Sequence, residues 1–147
     1  MFRIIKASER HCSSILEIEE NSFNFDQLTE KQLHMIFKSG TYRIWVCSFR
    51  GKLVGYSIIS FPKKIKKARI YSIAVLKKFH GKGIGRRLLM KMVKEAQKGN
   101  YEKISLEVAV DNLKAITLYE KLNFLKTGLK KGYYSDGKAA MTMLLHL

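Results

Sequence analysis

Two stretches hold residue types whose spacing could do chemistry. The first is the turn His80-Gly81-Lys82-Gly83-Ile84-Gly85-Arg86. Gly81, Gly83 and Gly85 have no Cβ and can take positive φ, so the amides of such a turn can lie bare. Bare amides at the positive end of a helix make a cradle for an anion. Arg86 and Arg87 oppose the helix dipole on their own and make sense beside a phosphate. From residue 63 to residue 94 there are twelve Lys or Arg and no Asp or Glu. A polyphosphate ligand explains that, and so does a solvated basic surface. The spacing fits neither G-x-x-x-x-G-K-[ST] nor G-x-G-x-x-G. The second stretch is Ile104 to Val110, where Glu107 is the lone acid of an apolar run. An isolated carboxylate in apolar surroundings resists ionisation and becomes a stronger base. Strand alternation offers a plainer reading, with Ser105 and Glu107 both facing solvent. Tyr119 stands at helical spacing with Ile116 and Leu122. It reads as a core tyrosine whose hydroxyl needs a partner if buried.

The elements that must position these residues are legible around them. An apolar run, Ile70 to Leu76, stops before the turn. A helix starts inside it, with Ile84, Leu88, Leu89, Met92, Val93 and Ala96 on one face. Gly99-Asn100 ends that helix, and Tyr101 to Val110 is the next strand. The two strands are parallel if they share a sheet. Asp111 is a good N-cap for a helix from about 112 to 122. Upstream, Phe2 to Lys6 reads as a strand. Ser8 caps a helix carrying Ile15, Leu16 and Ile18, and Asp26 caps a second carrying Leu28, Leu33, Ile36 and Phe37. Tyr42 to Phe49 and Leu53 to Phe61 form a hairpin around Arg50-Gly51-Lys52. Phe124 to Lys130 and Ala139 to Leu147 are the last strands. About seven strands and about four helices in mixed order predict an α/β (α+β mixed) fold with a mostly antiparallel sheet.

A chain of 147 residues reads as one domain, 1–147, with room for a real core. Hydrophobic content of 46% and charge of 27% indicate a globular protein rather than a disordered one. No apolar run approaches the ~20 residues of a membrane span. Met1-Phe2-Arg3-Ile4-Ile5-Lys6 is too short for a signal-peptide core. Cys12 and Cys47 have no metal or disulfide spacing, so no metal is expected and the expected compartment is the cytoplasm. The net charge of +16 suggests nucleic acid, a ribosome or another polyanion as readily as a solvated surface. Six of the twelve acids lie between Glu9 and Glu30, so the charge is polarised along the chain.

His80 to Gly85 resembles the R/Q-x-x-G-x-G/A turn of the GNAT superfamily of acetyl-CoA-dependent N-acetyltransferases. Tyr71-Ser72-Ile73-Ala74-Val75 resembles the strand before that turn. Leu106-Glu107-Val108, Asp111-Asn112, Leu118 to Phe124 and Lys131-Gly132-Tyr133-Tyr134-x-Asp136-Gly137 are similar to one branch. That branch holds the ribosomal-protein-alanine N-acetyltransferases and their archaeal protein N-terminal acetyltransferase relatives. The resemblance covers about Tyr71 to Leu145, half of the chain. It implies the GNAT fold and transfer of acetyl from acetyl-CoA to the N-terminal α-amine of a protein, by direct attack in a ternary complex. It implies Glu107 as proton acceptor and Tyr119 as donor to the coenzyme A thiolate. The backbone of Ile73, Ala74 and Val75 and the turn His80, Gly81, Lys82, Gly83, Ile84, Gly85 and Arg86 would hold the coenzyme. Asn112 would hold its pantetheine arm, or simply cap a helix. Phe23 and Phe25 would form one acceptor wall, or simply pack in the core. Tyr133 and Tyr134 would clamp the peptide N-terminus, or act as a lid. Two departures stand out: His80 replaces the usual Arg or Gln, and Lys138-Ala139 replaces Glu-Asp.

The chemistry itself favours an α-amine, with a pKa of about 7.7–8.0 against about 10.4 for lysine, because one carboxylate can deprotonate it. Two other readings stay open. One keeps the fold and takes a small amine of polyamine or aminoglycoside type. The other is a basic RNA- or ribosome-binding module without chemistry. The sequence leaves monomer and dimer both open.

Overall fold

The computed structural model describes residues 1–23 and 26–147. Seven strands form one sheet: β1 (Phe2–Lys6), β2 (Tyr42–Phe49), β3 (Lys52–Ser60), β4 (Lys67–Val75), β5 (Lys103–Ala109), β6 (Leu125–Lys130) and β7 (Ala140–His146). Their order is β1-β2-β3-β4-β5-β7-β6. Every neighbouring pair is antiparallel except β4 and β5. The last strand pairs within its own chain. Four α-helices cover the sheet: α1 (Cys12–Ser22), α2 (Glu30–Lys38), α3 (Ile84–Lys98) and α4 (Leu113–Lys121).

The two faces of the sheet bury separate cores. Ile15, Ile18, Leu33 and Ile36 of α1 and α2 close over Val46, Tyr56 and Ile58. Leu88, Leu89, Met92, Ile116 and Tyr119 of α3 and α4 close over Val54, Ile70, Ile104, Leu106 and Met143 on the other face. Each fully buried Leu or Ile contributes about 1.5–3 kcal/mol, so both helical layers are held firmly.

Local signals explain most element ends. Arg50 and Gly51 both have positive φ, the two-residue turn that suits strand twist. Thr29, not Asp26, caps α2: its side chain accepts from the Gln32 amide at 3.1 Å, and Gln32 returns a bond to the Thr29 amide. Asn112, not Asp111, caps α4. Asp111 is turned aside by Lys138, whose Nζ lies 2.6 Å from its Oδ2.

The feature that makes a site is where β4 and β5 part. They pair only at Lys67↔Lys103, Ala68↔Ile104 and Arg69↔Ser105. On its other edge β4 is bulged: Ile58 faces Ser72 and Ile59 faces Ile70, so Tyr71 has no partner. A bulge bends its strand and spoils alternation. Here it turns both Tyr71 and Ser72 toward the α1 face and swings the rest of β4 away from β5.

Candidate active site

The parted strands open into a cleft of about 710 Å³. It is lined by both strands and α1, by Asn112, Ala115 and Tyr119 around α4, and by Tyr133 to Lys138 between β6 and β7. Glu107 and Tyr119 both line it, from opposite faces of the sheet. Glu107 shares its face with Arg69, and Tyr119 lies in the core under α4.

Glu107 is neither solvated nor isolated. Its side chain is 11% exposed. Arg69 Nε and Nη2 donate to Oε1 at 2.9 and 2.5 Å, and Lys130 Nζ stands 3.5 Å from Oε2. The expected apolar surroundings are replaced by an ion-paired triad. Arg69 also donates to the Tyr133 hydroxyl at 3.3 Å, which ties β4 to the loop after β6. Sequence reasoning does not reach Arg69, because it follows a run of lysines that reads as a solvated loop.

Tyr119 is buried beside Phe124, ring centroids 5.7 Å apart. Burial, with Tyr134 adding a little, pushes its phenol well above the ordinary value. The hydroxyl therefore stays protonated throughout the neutral range. Among the described residues it has no hydrogen-bond partner in the protein, so its O–H is free to donate a hydrogen bond to whatever enters the cleft.

Tyr133 and Tyr134 stack edge to face at 4.9 Å on the outer rim. Burial pushes the Tyr134 phenol up to about 12, with smaller contributions from Tyr133, Glu107 and Asp26. Lys138 bonds Asp111 and reaches Asp136 at 3.8 Å, so it braces the rim with the acids that remain. The opposite rim is crossed by Asp26, whose Oδ2 accepts from the Ser135 amide at 2.9 Å. Phe23 follows α1, half-buried; it packs on the α1 core and lines the cleft. Phe25 lies outside the described residues.

Glu19 is a cleft residue that no local pattern singles out. It is 5% exposed, accepts from Tyr56 Oη through Oε1, and accepts from the Leu28 amide at 2.8 Å through Oε2. Tyr56 Oη in turn lies 2.9 Å from Ser72 Oγ on the β4 bulge. Burial and Glu19 push the Tyr56 phenol well above its ordinary value. One carboxylate thus fastens the segment after α1, strand β3 and the bulge together. It lies on the buried face of α1 with Cys12 and Ile15, a position that Glu17 and Glu20 beside it obscure in the sequence.

The glycine turn stands at the end of β4. Gly81 and Gly83 have φ of 77° and 79°, a conformation glycine adopts without strain. Gly83 precedes α3 without a side-chain cap, and the first bond of the helix runs from the Arg87 amide to Gly83 O at 3.1 Å. The six amides from Gly81 to Arg86 therefore have no partner among the described residues. Ile84 contributes only its amide to the turn, because its side chain is in the core. Gly85 has a packing role as well: a Cβ there would meet Leu118 Cδ2 of α4 at 3.3 Å. His80 folds back so that Nε2 lies 2.7 Å from Val75 O.

A parallel pair that parts after three residues, followed by a bare-amide turn opening a helix, is the frame of one fold family. The model of the "Acetyltransferase (GNAT) family" matches residues 11–124. The chain belongs to that family. It is 46% identical over 91 residues to the N-alpha-acetyltransferase of Saccharolobus solfataricus, covering 60% of this chain and 54% of that protein. It is 32% identical over 90 residues to the ribosomal protein bS18-alanine N-acetyltransferase of Escherichia coli, covering 60% of each. The matches span 54% to 66% of the length of the three archaeal relatives compared. The crystal structure of the Escherichia coli ribosomal-protein-S18-alanine N-acetyltransferase superposes with a TM-score of 0.90 at 27% identity, covering 99% of this chain and 94% of that one. Ard1 from Thermoplasma volcanium also gives 0.90 at 27% identity, covering 99% and 97%. The GNAT fold expected from the sequence is the fold observed.

The GNAT family uses acetyl-CoA, and the residues of this chain fit that molecule. The six bare amides, with Lys82 and Arg86 exposed beside them, suit a pyrophosphate. On β4 the Leu76 amide bonds back to Val54 O at 2.9 Å. By strand alternation, the backbone groups of Ile73 and Val75 then point to the open edge. They suit the amides of a pantetheine arm, although Val75 O is shared with His80. Ala74 turns its side chain into the α1 core and offers only backbone. Asn112 accepts from the Ala115 amide at 3.3 Å, the capping role, while also lining the cleft. Among the described residues no cluster of His, Cys, Asp and Glu is arranged to hold a metal ion.

Proposed function

We propose that residues 1–147 form one N-acetyltransferase domain that acetylates the N-terminal α-amine of proteins from acetyl-CoA in the cytoplasm. The observation that carries this reading is the cleft itself. A carboxylate enters it from one face of the parted sheet, and a protonated hydroxyl without a partner enters from the other. Acetyl-CoA supplies the acetyl thioester. Glu107 accepts a proton from the incoming α-ammonium, directly or through a water. The amine nitrogen bonds to the acetyl carbon as the carbon–sulfur bond breaks; Tyr119 gives its proton to the departing sulfur and regains one, through water, from the nitrogen as it becomes an amide. The open amide of Val75 is aimed to hold the carbonyl oxygen. Tyr133, Tyr134 and Phe23 form the walls past which a peptide N-terminus enters.

Two features support an α-amine over a polycationic small molecule. The base is a single carboxylate, matched to an amine that titrates near neutrality. Arg69 and Lys130 already stand on that carboxylate and repel an acceptor carrying several charges. The names of the relatives, an N-alpha-acetyltransferase and a ribosomal protein bS18-alanine N-acetyltransferase, point the same way. The test is transfer to short peptides beginning Ala, Ser, Met or Glu, with internal lysines and acetyl-blocked copies as controls, and the site of acetylation read by mass spectrometry. Acetylation of the free α-amine alone is expected. Turnover of spermidine or kanamycin without peptide turnover would overturn the reading.

A further inference from the structure

Eleven of the 28 basic residues gather in two groups at opposite ends of β4. Lys77, Lys78, Lys82, Arg86 and Arg87 surround the glycine turn after β4. A second group stands where β4 begins: Lys63, Lys64, Lys66 and Lys67, with Lys98 at the end of α3 and Lys103 at the start of β5. All six are exposed. The nine residues of β4 put about 25–30 Å between the two ends, and the fifteen of α3 give about 22 Å. Coenzyme phosphates seated on the turn are therefore far outside the ~8–10 Å over which charges act through salt solution.

The fold gathers the second group tightly. Lys66 O accepts from the Glu102 and Lys103 amides at 2.7 and 3.3 Å. Tyr101 Oη donates to Pro62 O at 2.8 Å, its ring packs on Phe61, and Lys66 Nζ lies 5.9 Å from its centroid. Lys67 and Lys103 are direct partners across the parallel strands. Like charges directly opposite each other are destabilising. The neighbouring acids Glu95 and Glu102 are few against six lysines, and Glu95 already meets Lys91 and Lys98 at 3.8 and 3.4 Å. The fold tolerates this repulsion at the end of β4 away from the glycine turn, two residues before Arg69 enters the cleft.

We propose that this lysine pole is an RNA-binding surface, distinct from the basic group around the glycine turn. The group is built of lysines alone, which are point charges on flexible stems. They suit a phosphate backbone, which asks for charge without fixed geometry. A folded acidic protein, or a bilayer, needs apolar anchors at the centre of the contact. Among the described residues, the pole's exposed large apolar side chains are two separate ones, Ile65 at 53% and Leu147 at 37% beside Glu102.

The test is fluorescence anisotropy of the full chain with a labelled 20-nucleotide single-stranded RNA, in 50 to 200 mM KCl. Four to six lysine–phosphate contacts predict an affinity loss of about 50- to 300-fold over that fourfold rise in salt. Combined K63Q, K64Q, K66Q and K103Q is expected to remove binding while peptide acetylation keeps its kcat/KM. Combined K82Q and R86Q is expected to bind RNA as before while losing acetyl-CoA. Four results would overturn the proposal. They are RNA binding unchanged in the pole variant, displacement of RNA by saturating acetyl-CoA, a flat salt response, or tighter binding to phosphatidylserine vesicles or poly-glutamate than to RNA.

Discussion

Replacing Glu19 with alanine tests how the acceptor side of the cleft is held. The wild-type carboxylate accepts two hydrogen bonds, from Leu28 N at 2.8 Å and from Tyr56 Oη, at a site 5% exposed. Hydrogen bonds to a charged group contribute about 1.5–3 kcal/mol each. Tyr56 keeps Ser72 Oγ as a partner in the variant, whereas the Leu28 amide keeps none. Against that loss stands the relief of no longer burying a carboxylate. The net cost expected is about 2–4 kcal/mol, which lowers Tm by about 5–15 °C in a chain of this size. Tyr56→Phe costs about 2–3 kcal/mol by leaving one carboxylate oxygen unmatched. Because the two side chains share one bond, the double variant should fall short of the sum by about 1–3 kcal/mol. Thermal unfolding followed by circular dichroism measures all three. The same variants should raise peptide KM, since Leu28 on the cleft wall is no longer fastened to α1, and leave the acetyl-CoA Kd within about twofold. A Glu19→Ala cost below about 0.5 kcal/mol, or strict additivity with Tyr56→Phe, would refute the clamp.

Two further outcomes follow from the geometry. Gly83→Asp sets a carboxylate at the mouth of the bare-amide turn, at a φ of 79° that strains any side chain by about 1–2 kcal/mol. Isothermal titration should show acetyl-CoA affinity reduced at least about 100-fold, with a Tm loss of only a few degrees. The Ser57 hydroxyl is fully buried in β3 without a partner. An unmatched buried hydroxyl costs about 1–3 kcal/mol, so Ser57→Ala should raise stability by about 1 kcal/mol in urea titration with activity unchanged.

How much of this was legible in the sequence depended on how local each signal is. The glycine turn and α3 declare themselves because bare amides and a 3.6-residue apolar period lie within twenty residues of one another. Glu107 stands out by being the single acid of an apolar strand. Its ion pair does not, because Arg69 lies 38 residues away and meets it only where two parallel strands begin to part. Glu19 is hidden among Glu17 and Glu20, and only packing against Tyr56, 37 residues on, distinguishes it. The bulge at Tyr71 leaves no mark in composition, since nothing about Ile-Tyr-Ser-Ile forbids plain alternation. The caps misread at Asp26 and Asp111 are cases where an aspartate found a competing partner, the Ser135 amide and Lys138, while a nearby Thr or Asn took the helix. The Thr29–Gln32 capping box was readable by its spacing alone.

The central claim is that Glu107 and Tyr119 serve one reaction from the two sides of the parted strands. The most direct measurement is kcat of Glu107→Gln and Tyr119→Phe on a single acetylatable peptide, with acetyl-CoA Kd determined alongside. Loss of a positioned proton acceptor predicts a kcat reduced by about 10²–10⁴ in Glu107→Gln. A milder loss, about tenfold, is expected in Tyr119→Phe, with the acetyl-CoA Kd of both within about twofold of wild type. A wild-type kcat in either variant would contradict that residue's place in the chemistry, and in both would move the reaction out of this cleft.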